Sequence, residues 1–252
     1  MNLRVLLKSL KSSAPREYTK DTFQGRATAL VAAPHPDDFD AIGVTLKRFA
    51  AGGGKLYTAV FSGAWSGVED SFCSTPTHEK KALCRELEQR ESCRFFGLPD
   101  SSLSFLRMAE NDDGCIMDSE DNLQLLKAVF DEVSPDIVFM PHGNDTNADH
   151  RVARSMVSRL SSVDNQFAVL CNRDPKTIAM RDELITWFGA EDAEWKAQLL
   201  RHHVSQHQRN LNIRGYGFDT RILNVNREIA AKAGGNALYA ESFEIFPPEE
   251  YF

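Results

Sequence analysis

Residues 28–41 read Thr-Ala-Leu-Val-Ala-Ala-Pro-His-Pro-Asp-Asp-Phe-Asp-Ala. Thr28 to Ala33 is a short apolar run closed by Pro34, the pattern of a strand buried on both faces. From Asp40 onward Ile42, Leu46, Phe49 and Ala50 recur at helical spacing until Gly52-Gly53-Gly54 stops the helix. Leu56 to Phe61 then reads as a second strand. This strand–helix–strand order is the unit of a parallel crossover. Between its first strand and its helix stand one histidine and three carboxylates, His35, Asp37, Asp38 and Asp40. Carboxylates that close repel one another, and a bound cation relieves the repulsion.

The same alternation continues outward. Residues 62–78 are rich in Ser, Gly and Thr and read as a loop. Glu79 to Phe96 is a helix ended by Gly97 and Pro99, and Leu123, Leu126, Phe130 and Val133 mark one face of another. Asp136 to Met140 is a strand ended by Pro141, a helix is expected from about Asp149, and Phe167 to Cys171 is a further strand. Ala193 to Arg209 reads as one helix, and residues 237–246 alternate weakly like an edge strand. Residues 172–192 show no clear period. Alternating strands and helices imply an α/β fold of Rossmann-like, three-layer type with a mostly parallel open sheet. With no repeat or low-complexity linker, residues 28–252 are expected to form a single domain. Residues 1–27 are expected to form an N-terminal extension packed on its surface.

Composition narrows the function. The net charge of −7, with Lys and Arg scattered rather than striped, argues against a nucleic-acid binder and against attraction to anionic membranes. Five cysteines without a C-x-x-C pair fit a reducing compartment. The apolar core Val5–Leu7 is too short for a signal peptide, and no run spans a membrane, so the expected setting is cytoplasmic. Composition sets no oligomeric state and is compatible with a homo-oligomer.

A second dense loop follows the strand at 136–140. It reads Pro141-His142-Gly-Asn-Asp-Thr-Asn147-Ala-Asp149-His150-Arg151. In open parallel sheets, ligands bind beyond the carboxyl ends of strands, so the two clusters are expected to converge there. Catalytic zinc takes three protein ligands and keeps a position open. His35 and Asp38 lie in one turn, and His150 or His142 supplies a third donor. Such a metal lowers the pKa of a bound water toward ~7, and the unligated Asp37 is placed to take the proton. Two histidines and a carboxylate also suit iron or another divalent ion. Asp145-x-Asn147-x-Asp149 lacks the glycine and the glutamate of a calcium loop, and Gly53-Gly54-Lys55 precedes a strand where a phosphate loop would follow one.

Pro34-His35-Pro36-Asp37-Asp38 with Asn147-Ala148-Asp149-His150-Arg151 resembles the PIG-L/LmbE-like zinc-dependent de-N-acetylases. Arg85-Glu86-Leu87-Glu88, Lys196 through His203-Val204-Ser205-Gln206, and Tyr239-Ala240-Glu241-Ser242-Phe243 are similar to further elements of that family, in the same order. The resemblance implies hydrolysis of an N-acetyl group on an amino-sugar substrate of the N-acetylglucosamine type. It implies His35, Asp38 and His150 as metal ligands, Asp37 as general base, Asp149 orienting an imidazole, and Arg85 on sugar hydroxyls. Two features depart from it. Asn147 stands where relatives carry a histidine for the oxyanion, so either Asn147 or His142 is expected to serve there, or the zinc to carry more of that role. Phe39 and the lone Gly43 follow Asp38 and are expected to alter the pocket floor. His203 is expected to be structural, and Trp65 and Trp195 to pack in the core or at the rim. Asn147 also motivates an alternative, a metal-binding sugar-recognition protein with little turnover. A zinc amidase acting on another N-acyl substrate is a third reading.

Overall fold

The computed structural model describes residues 15–23, 27–161 and 167–246. Most of the expected surface extension, including the stretch Val5–Leu7, lies outside the described residues. Eight strands form one sheet: β1 (Arg16–Glu17), β2 (Thr28–Ala33), β3 (Lys55–Val60), β4 (Leu103–Phe105), β5 (Ile137–Pro141), β6 (Ala168–Asn172), β7 (Leu184–Phe188) and β8 (Tyr239–Phe246). Their order is β1-β7-β8-β6-β5-β2-β3-β4. β8 is antiparallel to both its neighbours, and all other pairings are parallel. The helices are α1 (Asp38–Ala41), α2 (Gly43–Ala51), α3 (His78–Phe96), α4 (Glu120–Val133), α5 (Ala148–Ser161), α6 (Ala190–Arg201), α7 (Val204–Arg214) and α8 (Phe218–Ala233). The whole is a Rossmann-like three-layer α/β fold.

β2 explains the layering. Its alternate side chains point to opposite faces. Ala29, Val31 and Ala33 pack with Phe39 of α1, Leu46 and Phe49 of α2, and Ile42 between the two helices on one side. Leu30 and Ala32 pack with Leu126 and Phe130 of α4 and Met156 of α5 on the other. With both faces covered, the strand has no use for polar residues, hence its apolar sequence. The chain leaves β2 toward β3 and β4, then returns to place β5 on the opposite flank of β2. That reversal opens a crevice at the carboxyl ends of β2 and β5.

Four features differ from the sequence expectations. The single helix expected over Ala193–Arg209 is two, α6 and α7, broken at His202-His203. The break turns the buried His203 ring toward Asp40, Nε2 to Oδ2 2.7 Å. The C-terminal strand β8 is not an edge but lies between β6 and β7. Its alternation is weak because Glu241, Ser242 and Glu244 are themselves buried. Residues 15–23 belong to the sheet and core, through β1 and the buried Tyr18 and Phe23. β4, β7 and α8 carried no clear signal in the sequence.

Phe39 lies fully buried, edge-on to Phe96 with ring centroids 4.9 Å apart, so it belongs to the core and not to a pocket floor. Gly43 has a packing reason: a Cβ there would come within 2.7 Å of Leu199 Cδ2 on α6. Trp65 stacks on His78, and Trp195 packs against Phe95 and Phe96.

Candidate active site

Pro34 ends β2, and the chain turns at once. Asp38 Oδ2 accepts from His35 N at 2.8 Å, so the carboxylate closes the turn that carries it. Asp37, at φ 112°, adopts a left-handed conformation that costs a non-glycine residue of order 1–3 kcal/mol. Its surroundings hold it there. Its N–H donates to Gln89 Oε1 at 2.9 Å, and Arg85 Nη2 donates to its Oδ2 at 2.7 Å and to the Pro36 carbonyl. Gln89 is itself anchored to Asp40 at 3.1 Å.

At the end of β5 the second loop folds against the first. Asp145 Oδ1 accepts from Asn147 N at 2.6 Å, and Asn147 Oδ1 accepts from Asp149 N at 3.2 Å at the start of α5. These local bonds set Asp149 and His150 in the first turn of the helix, facing β2.

Donor atoms of His35, Asp38 and His150 all lie within 4.8 Å of one another. Each imidazole turns one nitrogen to Asp38 and the other to a different carboxylate. His35 Nδ1 is 3.5 Å from Asp38 Oδ2, and its Nε2 is 2.8 Å from Asp149 Oδ2. His150 Nε2 is 3.8 Å from Asp38 Oδ1, and its Nδ1 is 3.2 Å from Asp145 Oδ2. Ligands on a tetrahedral ion with bonds of about 2.1 Å stand roughly 3.4 Å apart, so the donor set fits zinc with little adjustment. Carboxylates behind ligating histidines fix ring orientation and raise basicity. Asp149 in turn accepts from Ile116 N at 2.8 Å.

Burial opposes protonation of His35, but its bonds to Asp149 and Asp38 outweigh it and push its pKa up to about 10. Burial also works against the Asp38 carboxylate, yet His35 and His150 draw its pKa below the ordinary range. A metal must therefore displace a proton from His35. Zinc uptake near neutral pH is expected to release protons, and its affinity to rise with pH. Titration calorimetry in buffers of different ionisation enthalpy measures this; a heat independent of buffer would contradict it. Burial raises the pKa of Asp37, and the Arg85 charge works against the rise.

Asn147, Arg85, Asp149 and Asp37 line the same cavity of about 280 Å³ as the three donors. His142 does not. Its Nδ1 accepts from Asn144 N at 3.0 Å and its Nε2 lies 3.4 Å from Glu244, so the substrate contact expected of it is not brought to the cavity. Arg85 is not paired with its helix neighbours: Glu86 binds Arg107 and Glu88 binds Ser205. The sequence reading missed Asp145, behind His150, and Asp174, which also lines the cavity. Asp145 lay in the quoted motif, two residues before Asn147, whereas Asp174 falls in the stretch without a period. No helix among the described residues is long and apolar enough to cross a membrane.

A family model described as GlcNAc-PI de-N-acetylase, PIG-L, matches residues 30–161. No curated protein matches the chain. Among solved structures, the chain is similar to N,N'-diacetylchitobiose deacetylase from Pyrococcus horikoshii, at 18% identity and a TM-score of 0.74, covering 90% of this chain and 86% of that one. It is similar to GalB, the 4-carboxy-2-hydroxymuconate hydratase from Pseudomonas putida KT2440, at 19% identity and 0.67, covering 88% and 97%. The zinc-inhibited form of teicoplanin deacetylase Orf2 follows at 16% and 0.66, covering 87% and 98%. At these identities the likeness establishes the fold, which here carries both deacetylases and a hydratase, so the reaction has to be argued from the site.

Proposed function

The chain belongs to the PIG-L family, and from that premise we infer that it is a zinc-dependent hydrolase removing the N-acetyl group from an N-acetylglucosamine-type amino sugar or its conjugate. The observation that carries this reading is the convergence of His35, Asp38 and His150 beside a half-buried carboxylate, Asp37, that is left out of the donor set.

His35, Asp38 and His150 would hold the zinc ion, which when bound supplies Lewis-acid polarisation of the acyl carbonyl and a more acidic water. Asp37 takes the proton from the attacking water and returns it to the departing amine nitrogen, breaking the amide to acetate and free amine. Its raised pKa suits both halves of that transfer. Arg85 keeps the Asp37 carboxylate in place, and Gln89 holds its backbone N–H. Asp149 and Asp145 hold the two imidazoles with the correct nitrogen inward. The Oδ1 of Asn147 is engaged on α5, which leaves its amide nitrogen to donate toward the developing oxyanion.

Acetate release from a panel of N-acetylglucosamine conjugates tests the proposal. Release is expected to vanish on chelation and to return with zinc, and Asp38→Ala is expected to lose the metal. Release that survives chelation, or none across the panel from zinc-loaded protein, would overturn it. The recognition-protein alternative predicts near-background release that Asn147→His raises; ready turnover by the wild type ends it.

A further inference from the structure

The exposed large apolar side chains are unevenly distributed. Met117, Leu125, Ile178 and Leu238 stand in separate elements, whereas Leu83 and Leu87 of α3 and Val204 and Leu211 of α7, between 39% and 54% exposed, lie on two neighbouring helices. These helices run antiparallel. At one end Ser205 N and Oγ donate to Glu88 at 2.6 and 2.7 Å. At the other, Asn212 Nδ2 donates at 2.6 Å to Glu69 Oε2, in the loop that leads to α3. Between them Arg209 Nη1 donates to the Gly67 carbonyl of the same loop at 3.2 Å. With a rise of about 1.5 Å per residue, Leu87 is level with Val204, and Leu83 with the turn that ends at Leu211. The four side chains are the corners of one apolar face. Phe95, with its ring centroid 5.1 Å from that of His202, extends it at the Val204 end.

Apolar residues exposed singly are ordinary, but a contiguous apolar face marks a place where another molecule sits. Its stripe along α3 runs Lys80, Leu83, Leu87, Glu91, at i, i+3, i+7 and i+11. Lys80 lies five residues before the midpoint of the two leucines and Glu91 six after it. Both are exposed, so the apolar centre has a cation at one end and an anion at the other. Glu91 accepts from Arg94 on the same helix at 2.5 Å, an exposed pair that water and salt weaken. A stripe with this polarity is complementary to itself when reversed. A second copy turned about a two-fold axis through the midpoint lays leucine on leucine and brings Lys80 of each copy to Glu91 of the other. Such an isologous contact uses each patch twice.

We propose that the face formed by α3 and α7 is the contact of a homodimer, with the two α3 helices antiparallel across a two-fold axis. The inference does not depend on the hydrolase reading. Arg85 and Gln206 leave the same two helices from the opposite side, toward the cavity, so substrate and second copy do not compete for one surface. The test is sedimentation equilibrium of the full chain at micromolar concentration. Wild type, Leu83→Glu/Leu87→Glu, Lys80→Glu, Glu91→Lys and the double Lys80→Glu/Glu91→Lys are compared. Leu125→Glu, at an exposed leucine of α4, is the control, and thermal unfolding checks that each variant is folded.

The wild type is expected to sediment as a dimer and Leu83→Glu/Leu87→Glu as a folded monomer. Its dissociation constant is expected to rise about a hundredfold or more, the scale of two leucines per copy left unburied. Leu125→Glu is expected to stay dimeric. Each single charge change sets like charges together and is expected to weaken the dimer several-fold, and the double change to restore it. That recovery separates the antiparallel pairing from an unspecific apolar contact, and it decides the matter even where the leucine variant unfolds. A monomeric wild type, or a dimer that the leucine changes leave intact, would overturn the proposal. A dimer that the leucines support but the double charge change fails to restore defeats the antiparallel arrangement. A monomeric wild type that binds phosphatidylcholine vesicles through the same leucines assigns the face to a lipid surface and ends the dimer.

Discussion

Asp37→Asn is expected to lower kcat for acetate release by about 10²–10⁴-fold, the usual contribution of a positioned acid–base group, while metal content stays at the wild-type level. Asp37 follows Pro36 and precedes Asp38, the proposed ligand, yet its carboxylate faces Arg85 and stays out of the three-residue donor set. The substitution therefore removes a proton acceptor without removing a ligand. Asparagine also suits the backbone. It tolerates positive φ better than other non-glycine residues, and its Oδ1 can still accept from Arg85. Loss of activity is then attributable to lost proton transfer rather than to a collapsed turn. Metal analysis, thermal unfolding and single-turnover acetate release decide the matter together. Wild-type kcat in a metal-loaded variant would remove Asp37 from the reaction.

Lys196→Met is expected to destabilise the fold by about 3–5 kcal/mol, the cost of leaving one half of a buried ion pair without its partner. Lys196 is fully buried on α6. Its ammonium donates to Glu241 Oε1 at 2.6 Å, Asn226 Oδ1 at 2.8 Å and the Ala41 carbonyl at 2.6 Å. All three of its donors are thus satisfied, joining α6, α8, β8 and the end of α1. Glu241 in turn accepts from Val44 N at 3.1 Å, Thr45 N at 2.8 Å and Thr45 Oγ1 at 2.5 Å. It thereby sits at the amino end of α2, where a helix dipole favours negative charge.

Without Lys196 that carboxylate stays buried with neutral donors alone. Against a total stability of about 5–15 kcal/mol, the loss is large enough to lower expression and the urea midpoint. Lys196→Met combined with Glu241→Gln is expected to recover part of it, because the stranded charge is gone. A single variant within 1 kcal/mol of wild type in urea unfolding, with an unchanged slope, would show that the network does not hold the fold.

The network also shows where sequence reading stops. Lys196 and Glu241 were visible only as parts of two familiar stretches. Nothing local marks a lysine near the start of an amphipathic helix as buried, because its partners lie on β8, α8 and the turn after β2. His203 is a milder case. It is expected from the sequence to be structural, and its ring does sit on Asp40 in the interior, but the helix break that puts it there has no local signal. His142 shows the opposite error. It follows the strand as His35 does, but the loop turns its ring to Glu244 on β8, a strand paired to β5 only through β6.

The amino-acid sequence alone determined the alternation of strands and helices, and with it a mostly parallel open sheet. It also placed one imidazole–carboxylate loop after each of two central strands. Those are local properties, set by side-chain period, by breakers such as Pro34 and Gly52, and by residues within one turn of each other. Only the tertiary structure decided which nitrogen of each histidine faces inward, what holds Asp37 in its left-handed turn, and which arginines are left facing the cavity. Each of these depends on a hydrogen bond or charge between segments far apart in the chain, as from His35 to Asp149. Such pairings exist only once the sheet order has brought β2 and β5 side by side.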